Sequence, residues 1–215
     1  MSEWPTNTDL AEALNAAGIP VPVASVLTSA LALSVEAFQD ATGWYPFAAS
    51  STATASTVPL FWPDSALVSV VSFGGGVLTS TTPTVTLDGS TLEAATDYIL
   101  CPPDASRRGV PYTYLKLLRR KVGNNNALSI TGIFGYCAYN AVPELARAAV
   151  LAYAAMDIAA PSIQAGTATR VLAQAEEGEV KYQWGSSIEE RQAAMRSWQT
   201  NWDMAIAKFQ QRKVF

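Results

Sequence analysis

The sequence of 215 residues contains no histidine. Imidazole is the commonest general base, a frequent metal ligand and the side chain that titrates near neutral pH, so its absence argues against most acid–base and metal-dependent catalysis. Only two cysteines are present, Cys101 and Cys137, and their spacing fits neither a zinc site nor a redox pair. We therefore expect two partly buried free thiols, no metal site and no cofactor.

Charged residues are also scarce, at 15% of the chain, and the net charge is −4. A dedicated nucleic-acid-binding protein would carry a basic surface, and this balance argues against one. Hydrophobic residues make up 49% of the sequence, which is enough for a substantial core at this length. So few charges also favour a protein that buries part of its surface between subunits.

No apolar run is long enough to cross a bilayer. The longest, residues 148–156, is bounded by Arg147 and Asp157, whereas a transmembrane helix needs about 20 apolar residues. The first residues, with Glu3 and Pro5, lack the apolar stretch of a signal peptide. We expect a soluble protein that is neither membrane-bound nor secreted by a conventional route.

Hydrophobic periodicity predicts helices at both ends of the chain. The helical segments are 7–18, 22–42, 144–160 and 186–208. Gly18 and Gly43 close the first two, and Pro161 is expected to stop the third, which is apolar nearly all round. The predicted core face of the second helix is Val23, Val26, Leu27, Ala30, Leu31, Ser34, Ala37, Phe38 and Ala41.

The middle of the chain has the two-residue period of β-strands. After a linker at 48–57 and an edge strand at 58–62, strands are predicted at 67–73, 84–87, 98–100, 112–118 and 127–134. Asp88-Gly89 is a strong hairpin signal, the glycines at 74–76 permit a bend or bulge, and the last two strands are expected to form a second hairpin.

These patterns predict an α+β fold in which a helical bundle of N- and C-terminal helices carries an inserted antiparallel β domain. The helical part is assigned to residues 1–50 and 138–215, and the β domain to residues 57–137.

Two charged clusters are candidates for chemistry. Glu176, Glu177 and Glu179 flank a glycine in a polar turn, which favours a solvated surface over a catalytic or cation-binding pair. A second, basic group lies beside turns and is the candidate contact for nucleic-acid phosphates or a partner. It consists of Arg107, Arg108, Arg119, Arg120 and Lys121.

The last predicted helix places apolar residues every seven positions, at Ile188, Met195, Trp202 and Phe209. This spacing favours packing against the helix at 144–160. The segment beyond it, Gln210–Phe215, mixes basic and apolar residues beyond what a core needs, and is the best candidate for an intermolecular contact. The candidate partner-binding residues are Trp198, Trp202, Phe209, Gln210, Arg212, Lys213, Val214 and Phe215.

Three segments resemble the head–tail connector proteins (adaptor or head-completion proteins) of tailed bacteriophages and related gene-transfer particles. The first is Phe-Gln-Asp-Ala-Thr-Gly at 38–43, and the second runs from Val85 to Leu100 around Asp88-Gly89. The third is Pro-Glu-Leu-Ala-Arg-Ala-Ala-Val-Leu at 143–151, continuing through Glu-Gly-Glu-Val-Lys-Tyr at 177–182 to the last helix.

This resemblance implies a structural virion protein and not an enzyme. Such proteins are made in the host cytoplasm and lie in the virion neck, at the head–tail interface. There they form a homo-oligomeric ring, commonly a dodecamer, beneath the portal protein. The ring extends the channel through which genomic DNA passes without sequence-specific binding, and it offers a platform to the next neck or tail protein. The terminal helix and tail would dock on the portal, and the β insertion would face outward or tailward.

Two alternatives remain open. The chain could be another virion component, such as a stopper, a tail terminator or a decoration protein that uses the β domain for its contacts. It could instead be an enzyme that works through carboxylates or a bound metal, a class that the missing histidines disfavour.

Overall fold

The computed structural model describes residues 3–49, 70–78, 82–118, 128–164 and 188–210. This part of the chain is a mixed α+β structure with helices at both ends, which confirms the predicted fold class. The helices are α1 (Asn7–Ala16), α2 (Ala24–Thr42), α3 (Ala105–Arg108), α4 (Glu144–Gln164) and α5 (Ile188–Phe209). The strands are β1 (Val70–Val77), β2 (Thr84–Leu87), β3 (Ser90–Thr91), β4 (Tyr98–Cys101), β5 (Tyr112–Leu117) and β6 (Leu128–Thr131).

The chain folds into two compact units. The helical unit combines Glu3–Thr42 with Pro143–Phe215, and the β unit is the continuous stretch Gly43–Val142. The helical unit is therefore discontinuous in sequence, because its N-terminal pair of helices packs against helices that follow the whole β unit.

Helix α1 begins at Asn7, as predicted, and a capping box is formed by the residue before it, Thr6. The Asp9 N–H donates to the Thr6 hydroxyl at 3.3 Å, and the Thr6 N–H donates to the Asp9 carboxylate at 2.7 Å. Both bonds satisfy N–H groups that a helix leaves unpaired at its start. The helix buries Leu10 and Leu14 completely, and the chain turns away at Gly18, where φ is +65°.

The buried face of α2 consists of Leu27, Ala30, Leu31, Ser34, Phe38 and Thr42. The prediction that Val23 and Val26 belong to this face was wrong, since they are 69% and 45% exposed. Val23 precedes the first turn, and Val26 lies about 100° around the helix from Leu27. Gly43, with φ of +78°, ends α2 as predicted.

The most central helix of its unit is α4, which packs against α1, α2 and α5. Its small buried residues, Ala146, Ala149, Ala152 and Ala155, allow these neighbours to approach closely. The prediction that Pro161 stops this helix was wrong, because α4 continues to Gln164. Proline lacks one N–H donor, but its fixed φ of about −65° is helical, so the helix continues past it with one hydrogen bond missing.

The β unit contains two antiparallel sheets, ordered β1-β5-β4 and β3-β2-β6. The predicted hairpin at Asp88-Gly89 is confirmed: it joins β2 to β3, with φ of +52° and +79° at the two turn residues. The register of β1 against β5 shifts between Ser72 and Val77, which confirms a bulge or irregularity at the glycine run.

The predicted hairpin between the strands at 112–118 and 127–134 was wrong. Both strands form, but β5 pairs with β1 and β4, whereas β6 pairs with β2 in the other sheet. With β1 on one edge and β4 on the other, β5 has no free edge for β6. The two sheets share a core of Val77, Val85, Leu87, Leu92, Tyr98, Leu115, Leu117, Ile130 and Phe134.

Candidate partner-binding surface

Four aromatic residues of the helical unit form a cluster around Phe38, which is fully buried. The Phe38 ring centroid lies 6.1 Å from that of Trp4, 5.8 Å from that of Trp202 and 6.2 Å from that of Phe209. All three contacts are edge-to-face, the arrangement that aromatic quadrupoles favour. Through this aromatic cluster, the C-terminal part of α5 packs against the C-terminal half of α2.

The structure places Trp202 and Phe209 in that cluster. Phe209 is 3% exposed. Trp202 is half-buried and also contacts Tyr153 of α4, with ring centroids 4.4 Å apart. The predicted packing of the last helix against the helix at 144–160 is thus confirmed.

Two further candidates on α5 have more accessible surface. Trp198 is half-buried, one turn before Trp202. Gln210 is exposed directly after Phe209, and its N–H donates to the Ile206 carbonyl at 2.8 Å. The other predicted contact residues, Arg212, Lys213, Val214 and Phe215, lie outside the described residues, as do Glu176, Glu177 and Glu179.

Two of the five basic candidates lie in the described part of the β unit. Arg107 and Arg108 are exposed on α3, and the Arg108 guanidinium lies 3.7 Å from the Asp104 carboxylate. Because β4 and β5 are antiparallel and joined through α3, these arginines lie at the opposite end of β5 from Leu117. Arg119, Arg120 and Lys121 follow Leu117 in sequence and lie outside the described residues.

Both cysteines are free thiols, with Cys101 buried and Cys137 half-buried. Burial raises the pKa of the Cys101 thiol, and it raises the pKa of the Cys137 thiol to about 12. The Cys137 thiol faces the Phe47 carbonyl oxygen at 3.7 Å. Since the thiolate is the reactive form, neither residue has the environment of a nucleophile at neutral pH.

One ion pair that sequence reasoning missed joins α4 to α1. The Arg147 guanidinium lies 3.6 Å from the Asp9 carboxylate and 3.4 Å from that of Glu144. The backbone and side-chain hydrogen bonds from Thr6, more than Arg147, hold the pKa of the Asp9 carboxyl below its ordinary value. The local Glu144–Arg147 spacing was visible in the sequence, but the distant partner was not.

A second missed feature is an exposed stripe on α2, formed by Val26, Leu33, Glu36 and Asp40. Val26 is 45% and Leu33 is 58% exposed, and both carboxylates face solvent. The spacing of seven between Val26, Leu33 and Asp40 places them on one side of the helix. We call this set the α2 stripe.

Among the described residues, no group of three or more histidine, cysteine or acidic side chains is arranged to hold a metal ion. Within the same residues, no helix combines the length and apolar character needed to cross a membrane.

No protein-family model matches the chain, and no curated protein is significantly similar to it.

Proposed function

We propose that the protein is a head–tail connector of a tailed bacteriophage. In this function it forms a ring beneath the portal protein, extends the DNA channel and presents a platform to the next neck or tail protein. The support is the resemblance of three sequence segments to such connectors, together with the packing of the end of α5 against α2.

The observation that carries the proposal is the anchoring of α5. Phe209 is buried against Phe38, so the segment that follows, Gln210–Phe215, begins at a fixed point of the helical unit. That segment contains Arg212, Lys213 and Phe215, residue types that supply charge-assisted and aromatic anchors at interfaces. A short basic and apolar segment after a closed aromatic cluster is well suited to docking on another protein.

The β unit supplies a second set of contacts in this proposal. Its hairpin tip at Asp88-Gly89 and the arginines of α3 are accessible in the described structure. Arg107 and Arg108 are the candidates for electrostatic contact with channel DNA or with a neighbouring neck protein.

Assembly with the portal protein of the same phage tests the proposal. Light scattering coupled to size-exclusion chromatography should show the wild-type chain in a ring, alone or on the portal. A chain lacking residues 210–215 should keep its circular-dichroism spectrum and melting temperature but lose portal attachment. A wild-type chain that stays monomeric with and without portal contradicts the connector function.

Point variants identify which part of the segment acts. Val214→Ala/Phe215→Ala removes its apolar groups and Arg212→Ala/Lys213→Ala removes its charges. Gln211→Ala, at the position of the segment that is not a candidate contact, is the control. We expect either of the first two to weaken portal binding and the control to leave it unchanged. Normal docking by the truncated chain would show that residues 210–215 are not the portal contact. Cross-links to phage-tail subunits, with none to the portal, would favour a terminator or decoration protein.

A further inference from the structure

The α2 stripe has an unfavourable electrostatic arrangement in a single copy of the chain. Glu36 and Asp40 are like charges four residues apart, which repel on a helix surface. Both lie toward the C-terminal end of α2, where the helix dipole favours cations. Neither forms an ion pair with a described residue.

The sequence around the stripe offers no local cation either. The first 106 residues carry ten acidic side chains and no lysine or arginine, and all 14 basic residues follow them. The stripe also exposes Val26 and Leu33 beside these carboxylates. A surface that combines exposed apolar groups with unpaired acids is complementary to one that combines apolar and basic groups.

The outer side of α5 presents such a surface. Arg196, Thr200, Met204 and Lys208 recur every four residues and are all exposed, with Met204 at 49%. They form one ridge with an apolar residue between two cations, and we call it the α5 ridge. Among the residues that the structure describes, Asp203 is the acid next to the ridge, and it accepts a hydrogen bond from the Gln199 amide at 2.9 Å.

We propose that the α2 stripe of one copy of this chain docks on the α5 ridge of a second copy. Leu33 would pack against Met204, and Arg196 or Lys208 would neutralise Glu36 and Asp40. The two surfaces are different, so the contact is heterologous, and repetition around a closed rotation produces a ring. This inference rests on the proposed connector function and assigns the faces through which neighbouring subunits meet.

Single-face variants test the docking. Leu33→Asp places an unpaired carboxylate in the α2 stripe, and Met204→Asp does so in the α5 ridge. Burial of such a charge should weaken association at least about tenfold. Both residues are accessible in the single chain, so both variants should fold normally by circular dichroism. Ala24→Asp, at an exposed α2 position on the opposite side of the helix from Leu33, is the matched control and should assemble like wild type.

A mixture of the two variants tests whether the contact joins two different faces. Leu33→Asp retains its α5 ridge and Met204→Asp retains its α2 stripe, so each alone should be monomeric and an equimolar mixture should stop at heterodimers. Mass photometry, with portal present if the wild type assembles only there, reads out these species. Full rings from either variant, or an equimolar mixture that stays monomeric, would overturn the proposed contact.

Charge exchange provides an independent check. Glu36→Lys/Asp40→Lys should weaken assembly, and adding Arg196→Glu or Lys208→Glu in the same chain should restore it. Restoration by neither would overturn the electrostatic pairing. If all of these variants form rings as the wild type does, the proposed contact is contradicted but the connector function is not. If the wild type never assembles, the connector function itself is contradicted.

Discussion

Phe38 of α2 meets Phe209 of α5 edge-to-face, with ring centroids 6.2 Å apart, and both side chains are buried. The contact joins helices separated in sequence by the entire β unit. It also fixes the position from which the proposed docking segment starts. Stability of the helical unit and positioning of the tail therefore depend on the same two rings.

Truncating Phe209 should destabilise the helical unit. Phe209→Ala leaves a cavity beside Phe38, and core truncations of this kind cost about 3–5 kcal/mol in the free energy of unfolding. Urea unfolding followed by tryptophan fluorescence measures the loss, because Trp202 lies in the same cluster. Met204→Ala, at an exposed position of the same helix, is the control and should change stability by less than about 1 kcal/mol.

The capping box makes the stability of α1 depend on pH. Its hydrogen bonds lower the pKa of the Asp9 carboxyl below the ordinary value of 3.8, so the ionised form is favoured in the folded state. The resulting stability is present above that ordinary value and is lost as the pH falls through the lower, folded-state pKa. Thermal melts should show a smaller decrease on acidification for Asp9→Asn than for wild type.

Removal of the Thr6 hydroxyl should weaken the same cap. Thr6→Ala is expected to cost about 0.5–2 kcal/mol, while Thr6→Ser, which retains a hydroxyl acceptor, should stay close to wild type. Equal melting temperatures for the alanine and serine variants would contradict a stabilising role for the cap.

Two glycines of the β unit should respond differently to alanine. A Cβ at Gly76 would lie 2.5 Å from Pro111 Cγ and 2.7 Å from Trp44 Cζ3, so overpacking of about 1–3 kcal/mol is expected. A Cβ at Gly89 meets no atom within 4 Å but must adopt φ of +79°, which costs about 1–2 kcal/mol. Gly76→Ala should therefore disturb packing around Trp44, seen as a fluorescence change that Gly89→Ala lacks.

Both thiols should react slowly in the native protein. At pH 8 a thiol with a pKa of about 12 has a thiolate fraction on the order of a thousandfold below that of an ordinary cysteine. A chromogenic disulfide reagent should label Cys137 slowly until urea unfolds the β unit, and burial should protect Cys101 as well. Rapid labelling of Cys101→Ser, in which only Cys137 remains, would contradict the buried environment of that thiol.

Local signals in the sequence predicted much of the fold. Asp88-Gly89 predicted its hairpin because the turn needs positive φ at both positions, and Gly43 predicted the end of α2 for a similar reason. The seven-residue spacing through Trp202 and Phe209 predicted the packing of α5. Each of these signals lies within a few residues of the structure that it specifies.

The errors concern pairings between distant segments. Strands β5 and β6 are neighbours in sequence, yet β1 and β4 occupy the two edges of β5. Val26 fitted a helical face but lies at its exposed margin, because the centre of that face is set by where α4 and α5 pack. No local pattern contains this information.

The candidate site was predicted only in part. The sequence indicated that Trp202 packs within the chain, but not that Phe38 would be the ring at the centre of the cluster. The α2 stripe was missed because Val26 was assigned to the core face, and a leucine outside that face, Leu33, does not by itself indicate an exposed surface. Their exposure becomes visible only once the rest of the helical unit is in place.

The discontinuous helical unit has a consequence for synthesis on the ribosome. The β unit is continuous, so it can fold as soon as Gly43–Val142 has emerged, whereas α1 and α2 must wait for α4 and α5. Until α5 is made, Phe38 lacks two of its aromatic neighbours and remains a hydrophobic surface for chaperones to bind. A prematurely terminated chain would thus lack the α5 ridge as well as a complete core, and under the proposed docking it could not join a ring.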